Sequence, residues 1–325
     1  MGRLWLLSFF GGLMLSVGCT NSASTVDPTS NAPTATRGTI GVSLLTLQNP
    51  FFQVIGDNIQ SEAEKHGFAV TVLSADEDVV KQGNQVKDFL VSGVSAIVLS
   101  PCQVEAIGPI IREANAAGVP VFTVDIPCRL PDVKIVSQIA SDNYGGGEQA
   151  ATGMIEALGE AGGKVAILHY QQAESCQLRV AGFRAKMEEH NTSGGARIEI
   201  VAELEGGGRK DSGAKTTEDL LQSHPDIAGI FAINDPSALG ALAALEKAGK
   251  SDRVVLIGFD GQMDGKRAIQ QGKIYGDPVQ YPDKMGVEVV RAIVAHSNGE
   301  QVPAENLIPT SFYTKSDAEN DPALK

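Results

Sequence analysis

The sequence predicts an α/β fold in two lobes, each built around a parallel sheet. Short, nearly continuous apolar runs rich in β-formers alternate with helical stretches from Thr39 to about Ser297, the texture of buried parallel strands and their crossover helices. Glycines stand just past two helix ends, at Gly67 and Gly118, where a left-handed cap is wanted. The alternation also comes as two series with a faint internal echo. Ala117 to Asp125 and Ala248 to Asp260 each pass from a helix end through Gly and an apolar strand to Asp. With 325 residues the chain exceeds the roughly 250–300 at which single cores stop growing, and its 42% hydrophobic content suffices to fill two.

Before that alternation the texture differs. Met1–Arg3 carries one positive charge, and Leu4 to Val17 is an apolar run too short for a comfortable transmembrane helix, as a signal-peptide core is. Leu15-Ser16-Val17-Gly18-Cys19 resembles a bacterial lipoprotein cleavage site, although Ser16 stands where a bulky residue is usual. The reading is a signal peptide over 1–18 with Cys19 as the lipidated first residue of the mature chain. Its removal takes away Trp5, the only tryptophan, so aromatic stacking falls to Phe or Tyr. Residues 19–38, rich in Ser, Thr, Asn, Pro and Ala, cannot repay their ordering entropy and read as a flexible tether.

The first series places strands at Thr39–Leu45, Ala69–Ser74, Ala96–Ser100, Val121–Asp125 and Ile135–Ile139, with helices near Phe51–His66, Val80–Ser92 and Glu105–Ala117. The second places strands near Lys164–His169, Ile198–Leu204, Gly229–Ile233, Val254–Phe259 and Ile274–Val279. Its helices are near Gly146–Glu160, Cys176–His190, Gly213–Ser223, Ser237–Ala248 and Met263–Gln271, and a long helix, Pro282–Ser297, comes last. Two βαβ series imply two similar lobes whose strand C-termini face a shared cleft, the edge at which open α/β sheets bind ligands.

A net charge of −13 and a pI near 4.8 repel phosphate backbones, so nucleic acid is not expected as a partner, nor an anionic membrane face held through protein charge. G-x-S-x-G, H-E-x-x-H and C-x-x-C are all absent, and the five histidines lack ligand spacing. No catalysis, cofactor or metal is therefore expected. Gly249-Lys250-Ser251 lacks the upstream glycine of a phosphate loop and runs from helix to strand. Gly206-Gly207-Gly208-Arg209-Lys210 reads as a flexible strand–helix loop in preference to an anion cradle. Apart from Cys19 the cysteines are Cys102, Cys128 and Cys176. Cys102 and Cys128 follow neighbouring strands about 4.8 Å apart, within the roughly 7 Å Cα separation a disulfide tolerates, so a Cys102–Cys128 bridge is expected with Cys176 free.

The strand ends carry the mixture a neutral, hydroxyl-rich ligand needs: donors, acceptors and aromatic faces. Asn49, Phe51 and Phe52 follow the first strand, with Asn49-Pro50 also a ready helix start. Asp125 ends the fourth, Asp142 and Asn143 the fifth, Asn234-Asp235 and Phe259-Asp260-Gly261 two strands of the second lobe. Each alone is as readily a helix cap; their repetition is the signal. From the residues alone, Arg179 reads as a solvated helix charge and Gln280 as a turn residue.

These stretches, with Ile139-Ala140-Ser141-Asp142-Asn143, His224-Pro225-Asp226, Ala238-Leu239-Gly240-Ala241, Ala248 to Asp252 and Gln280-Tyr281-Pro282-Asp283, resemble the ribose-binding branch of the bacterial sugar-binding proteins that serve ABC importers. The resemblance runs from about Thr39 to Tyr313. It implies a type I periplasmic binding protein: two Rossmann-like lobes, 39–141 plus 281–309 and 142–280 plus 310–325, joined by a three-strand hinge near Asp142, Gln280 and Pro309. It further implies a monomer that holds one monosaccharide and hands it to ABC permease and ATPase subunits, exported and lipid-anchored at Cys19 on the periplasmic or cell-surface side. Asn49, Phe51, Phe52, Asp125, Arg179, Asn234, Phe259, Asp260 and Gln280 match the family's ligand contacts, Phe259 as a stacking ring. The chain departs from ribose binders at Ser100, Ile126 and Leu45, where the family has asparagine, arginine and serine. Leu45 and Ile126 imply an apolar end to the pocket, suited to a deoxy, methyl or differently shaped sugar. A sensor subunit presenting the sugar to a chemoreceptor or membrane kinase would use the same cleft. The effector domain of a lactose-repressor-type factor would need a helix-turn-helix before residue 39 and a basic face.

Overall fold

The computed structural model describes residues 37–325. The expected signal peptide, Cys19 and the expected tether as far as residue 36 lie outside the described residues. Arg37, read as tether, is docked on the first lobe. Its Nη2 donates to Ser297 Oγ at 2.9 Å and Asn298 Oδ1 at 2.7 Å, and its guanidinium lies 5.2 Å from the centre of the Phe68 ring.

The first lobe opens with β1 (Thr39–Leu44), α1 (Pro50–Lys65), β2 (Ala69–Ser74), α2 (Val79–Val91), β3 (Ala96–Leu99), α3 (Val104–Ala116), β4 (Val121–Val124) and β5 (Ser137–Ser141). The chain then builds the second lobe with α4 (Asn143–Leu158), β6 (Gly163–His169), α5 (Glu174–Thr192), β7 (Ile198–Glu205), α6 (Lys210–Ser223), β8 (Gly229–Ala232), α7 (Asp235–Lys247), β9 (Val255–Ile257), α8 (Met263–Gln270) and β10 (Gly276–Val279). Helix α9 (Pro282–Ser297) and β11 (Glu305–Ile308) return to the first lobe; β12 (Ser311–Thr314) and α10 (Lys315–Asn320) finish on the second. The six-stranded sheets run β11-β5-β4-β3-β1-β2 and β12-β10-β9-β8-β6-β7, parallel except for β12 against β10. This is the two-lobed architecture of type I periplasmic binding proteins.

Strand periodicity explains the burial of both sheet faces. In β3, Ile97 and Leu99 pack with Val86 and Phe89 of α2 and Ile107 and Ile111 of α3, whereas Val98 turns to Ile55 and Ile59 of α1 and Val289 of α9. In β6, Val165 and Ile167 join Met154 of α4 and Phe183 of α5, and Ala166 and Leu168 face Leu220, Leu245 and Ile269. Helix starts are fixed locally: Asp78 Oδ1 accepts from Val80 N at 2.7 Å and Lys81 N at 3.1 Å, and Asn49 caps α1 with Pro50 behind it. Gly67 and Gly118 end α1 and α3 at φ of 76° and 74°.

Three differences from the sequence reading have physical causes. Strands β11 and β12 and helix α10 were not expected, because each is short and buries at most one residue, Ile308 in β11 and Ala318 in α10, which leaves no apolar run to read. Strand β9 stops at Ile257, short of the expected Phe259, and the chain pairs again only at Asp260, which bridges Val279 with a φ of 109°. The Cys102–Cys128 bridge is not formed: Cys102, Cys128 and Cys176 are all free and buried. Cys102 packs in the cluster with Phe51 and Phe52, and Cys128 in the one with Ile107 and Ile111, so the thiols belong to different apolar clusters. No helix among the described residues is long and apolar enough to cross a membrane.

The chain passes between the lobes three times, at Asp142 after β5, at Gln280 and Tyr281 after β10, and at Pro309 and Thr310 after β11. The passages are tied together. Ser141 Oγ donates to Gln280 Oε1 at 2.7 Å, Asp142 N to the Ile308 carbonyl at 2.9 Å, and Gln149 Nε2 to the Thr310 carbonyl at 3.2 Å.

Candidate functional site

The C-terminal ends of strands from both sheets open onto one cavity of about 260 Å³ between the lobes. The first lobe supplies Leu45 to Phe52 after β1, apart from Leu47, and Asp125 with Ile126 after β4. The second supplies Tyr170, Ala173, Ser175 and Cys176 after β6, Arg179 from α5, Asn234 after β8, Asp260 after β9 and Gln280 after β10. Strand direction alone brings these residues together, since each follows the same end of its strand.

The second-lobe side is a hydrogen-bond network centred on Arg179 and Asp260. Arg179 Nε donates to Asn143 Oδ1 at 2.8 Å, and its Nη1 donates to the Ile233 carbonyl at 2.7 Å and to Asp260 Oδ1 at 3.1 Å. Gln280 Nε2 donates to the same Asp260 oxygen at 2.6 Å, and Gln262 Nε2 to Asp260 Oδ2 at 3.1 Å. Arg179 and Asp260 are both buried, so each depends on the other for charge compensation. Burial pushes the Asp260 carboxyl up, opposed chiefly by the Arg179 guanidinium.

Asp125 contrasts with Asp260. It is buried, and its Oδ1 has no hydrogen-bond partner among the described residues. Burial pushes its carboxyl up to about 7, with Arg179 partly opposing and Asp260 adding to the rise. Its backbone sits at a φ of 65°. Asp125 and Asp260 are thus both non-glycine residues held at positive φ by strand ends, and strain of this kind gathers at functional sites.

A cleft between two parallel sheets, lined from strand ends, has counterparts among known proteins. The chain matches the Periplasmic binding protein domain family over residues 40–301. It belongs to that family. It is 35% identical to the ribose import binding protein RbsB of Bacillus subtilis over 88% of this chain and 90% of that one. It is 33% identical to RbsB of Salmonella typhimurium over 90% and 96%. It superimposes with a TM-score of 0.80 on an ABC transporter solute-binding protein of Agrobacterium vitis with bound D-fucose, at 27% identity, covering 88% of this chain and 98% of that one. The chain is a sugar-binding solute-binding protein of the ABC-importer type.

Within this binding protein, Asn49, Phe51, Phe52, Asp125, Ile126, Arg179, Asn234, Asp260 and Gln280 all line the cavity. Two expected residues do not. Phe259 is fully buried, its ring 3.9 Å from the Arg179 guanidinium. The ring is packed against Gly146 of α4, where a Cβ would lie 2.5 Å from it, and so turns away from the cavity that Asp260 lines. Ser100 lies behind the wall, its carbonyl accepting from Gln82 Nε2 of α2 at 2.9 Å. Asn234 reaches the cavity with its amide already committed: Oδ1 accepts from Ser237 N at 3.0 Å, and Nδ2 donates to the Gly208 carbonyl at 2.9 Å. Residues 206–209 form the expected loop between β7 and α6, and Gly207 and Gly208 line the cavity there.

Sequence reasoning missed Tyr170 and Gln262. Tyr170 directly follows a predicted strand, so the strand-end rule would have found it. Gln262 Nε2 also donates to Asn49 Oδ1 at 3.0 Å, across the cleft. Arg209 meets Glu77 at 3.5 Å, and Arg129 of the first lobe pairs with Glu174 of α5 in the second. These contacts hold the lobes together, so the cleft is closed.

Behind the network lie two more carboxyls, Asp235 and Asp277, both fully buried. Asp235 Oδ2 accepts from Gln262 N at 2.5 Å, and its Oδ1 has no donor among the described residues. Burial, then the charge of Asp277, pushes Asp235 well above the usual carboxylate range; burial brings Asp277 to about 6. Two carboxylates so placed cannot both ionise cheaply, so the pair retains a proton.

Proposed function

We propose that this chain is the lipid-anchored substrate-binding subunit of an ABC-type importer for a single neutral monosaccharide. It acts as a monomer on the exported side of the membrane and delivers its ligand to permease and ATPase subunits. One observation carries the reading: a cavity of about 260 Å³ joins an unpartnered buried carboxyl, Asp125, to the Arg179–Asp260–Gln280 network. That volume lies below the roughly 300–1,000 Å³ of drug-sized sites, as suits a single ring. Sugar hydroxyls would donate to Asp125 and accept from the Asn49 amide nitrogen, and Phe51, Phe52 and Tyr170 offer faces for ring C–H groups. The ligand range suggested by the relatives is that of ribose and D-fucose.

The test is a thermal-shift panel of pentoses, hexoses and polyols, followed by calorimetry. A ligand present at a thousand times its Kd adds roughly 4 kcal/mol of stability. A panel in which no sugar raises the melting temperature would sink the proposal. Co-purification with a permease and ATPase supports import, whereas co-purification with a chemoreceptor or membrane kinase supports sensing. Membrane partitioning that is lost in Cys19→Ser, with accumulation of uncleaved precursor, would establish the anchor.

A further inference from the structure

The cavity presents two kinds of surface. The Arg179, Asp260 and Gln280 side is polar, with Asp260 Oδ1 accepting from both Arg179 Nη1 and Gln280 Nε2. The other kind comes from Leu45, Ile126, Ala173 and Cys176, which line the cavity and belong to one continuous buried apolar cluster with Phe51 and Phe52. Leu45, Ile126 and Ala173 offer no side-chain donor or acceptor. The Cys176 thiol, pushed up to about 12 mainly by burial, stays neutral and behaves as a small hydrophobe. Asp125 stands at the border, immediately before Ile126 in the chain, with Oδ1 unpartnered.

We propose, resting on the sugar-binding reading above, that the ligand is a deoxy sugar. Its hydroxyl-free carbon lies against Leu45, Ile126, Ala173 and Cys176, and neighbouring hydroxyls donate to Asp125. The two surfaces discriminate in opposite directions. A hydroxyl turned toward Leu45 and Ile126 loses its water and finds no side-chain partner on them, which is the costly arrangement for a buried polar group. A methyl or methylene in the same place gains by leaving water. The arrangement at Asp125 is the reverse, since a buried acceptor without a partner rewards whatever brings it a donor. Arg179 engages Asn143, the Ile233 carbonyl and Asp260 through Nε and Nη1, and its Nη2, which makes no hydrogen bond among the described residues, is left to donate to a ligand hydroxyl.

The experiment is calorimetry on the full chain with sugars that differ by one hydroxyl: D-fucose against D-galactose, L-rhamnose against L-mannose, and 5-deoxy-D-ribose against D-ribose. D-Glucosamine is added as a cationic probe of Asp125. The expected result is a deoxy member at least tenfold tighter than its partner, about 1.4 kcal/mol, in at least one pair. Ile126→Thr, which keeps the β-branched shape and adds a hydroxyl, should reduce that ratio at least threefold, and Leu45→Ser should do the same. If either variant fails to fold, the ratio in the unaltered protein still decides. A hydroxylated member as tight as its deoxy partner in every pair overturns the inference while leaving sugar binding intact. D-Glucosamine binding more tightly than every deoxy sugar overturns it too, because Asp125 would then be recruiting a cation. Absence of binding by every sugar overturns the functional reading itself along with the inference.

Discussion

The Arg179 guanidinium lies 3.9 Å from the centre of the Phe259 ring while its Nη1 donates to Asp260 Oδ1 at 3.1 Å. Phe259 therefore serves the cavity from beneath, as the platform on which the arginine is held. A cation over an aromatic face contributes about 0.5–2 kcal/mol depending on desolvation. Phe259→Leu should weaken ligand binding about 3- to 10-fold. Arg179→Ala should weaken it far more and lower stability by about 3 kcal/mol, since it leaves Asp260 buried without its cation. Calorimetry and urea denaturation measure the two effects. Equal losses in binding for both variants would mean that Phe259 touches the ligand after all.

Asp125 makes the ligand-free protein pH-sensitive. Its carboxyl is raised to about 7 in the folded chain, chiefly by burial, from an ordinary value of 3.8. Between these values the folded chain holds a proton that the unfolded chain has released, so stability falls as pH rises from about 4 to about 7. Asp125→Asn should flatten this slope and raise ligand-free stability at pH 8 by roughly 2–4 kcal/mol, measured by denaturation across pH. Ligand hydroxyls that donate to the carboxylate favour the ionised form. Affinity should therefore drop as pH falls below about 7, with a proton released on binding near neutrality. An affinity flat from pH 5 to 8 would mean that Asp125 does not accept from the ligand.

Most of this site was legible because strand-end position and the repetition of Asn and Asp are sequence properties. Asn49, Asp125, Asp260 and Gln280 each follow a strand, and strand direction brings their side chains to one cavity. The side on which a residue lies was less legible. Phe259 and Asp260 are neighbours, and only the three-dimensional packing, with Phe259 under Arg179, shows which of them lines the cavity. Gln262 was invisible for a different reason: its partners Asn49 and Asp260 belong to different lobes, and nothing local marks a residue that spans them. Strand β11 escaped because an edge strand with little burial carries no apolar period.

The contacts across the cleft should contribute unequally to closure. Gln262 is part-buried and joins Asn49 to Asp260, whereas the Arg209–Glu77 pair is largely exposed, at 56% and 34% of side-chain area. Exposed pairs typically contribute about 0–1 kcal/mol, and salt screens them. Gln262→Ala should weaken ligand binding about 5- to 20-fold, mainly through faster dissociation, because it leaves Asp260 Oδ2 without its donor. Glu77→Ala should change affinity by less than about threefold, and less again in 0.5 M salt. Stopped-flow dissociation rates separate the two, and a larger effect from Glu77→Ala would reverse the assignment.

The buried pair Asp235–Asp277 provides a second pH effect that can be separated from that of Asp125. Both carboxyls are raised, Asp277 to about 6, with burial as the largest cause in each. The folded chain again holds protons that the unfolded chain has lost above about pH 4, so stability declines as pH rises through this window. Asp277→Asn removes one of the two ionisable carboxyls, and the new amide can donate to Asp235 in place of the proton the pair shares. The variant should be more stable than the parent at pH 8, by about 1–3 kcal/mol, and nearly equal to it at pH 4. Asp277 does not line the cavity, so the ligand Kd of Asp277→Asn should stay within about twofold of the parent, whereas Asp125→Asn should change both stability and affinity. Denaturation at the two pH values, paired with calorimetry at pH 8, distinguishes the carboxyls. A variant less stable than the parent at pH 8 would show that the pair is held together by contacts an amide cannot reproduce, and that its proton is not what limits stability.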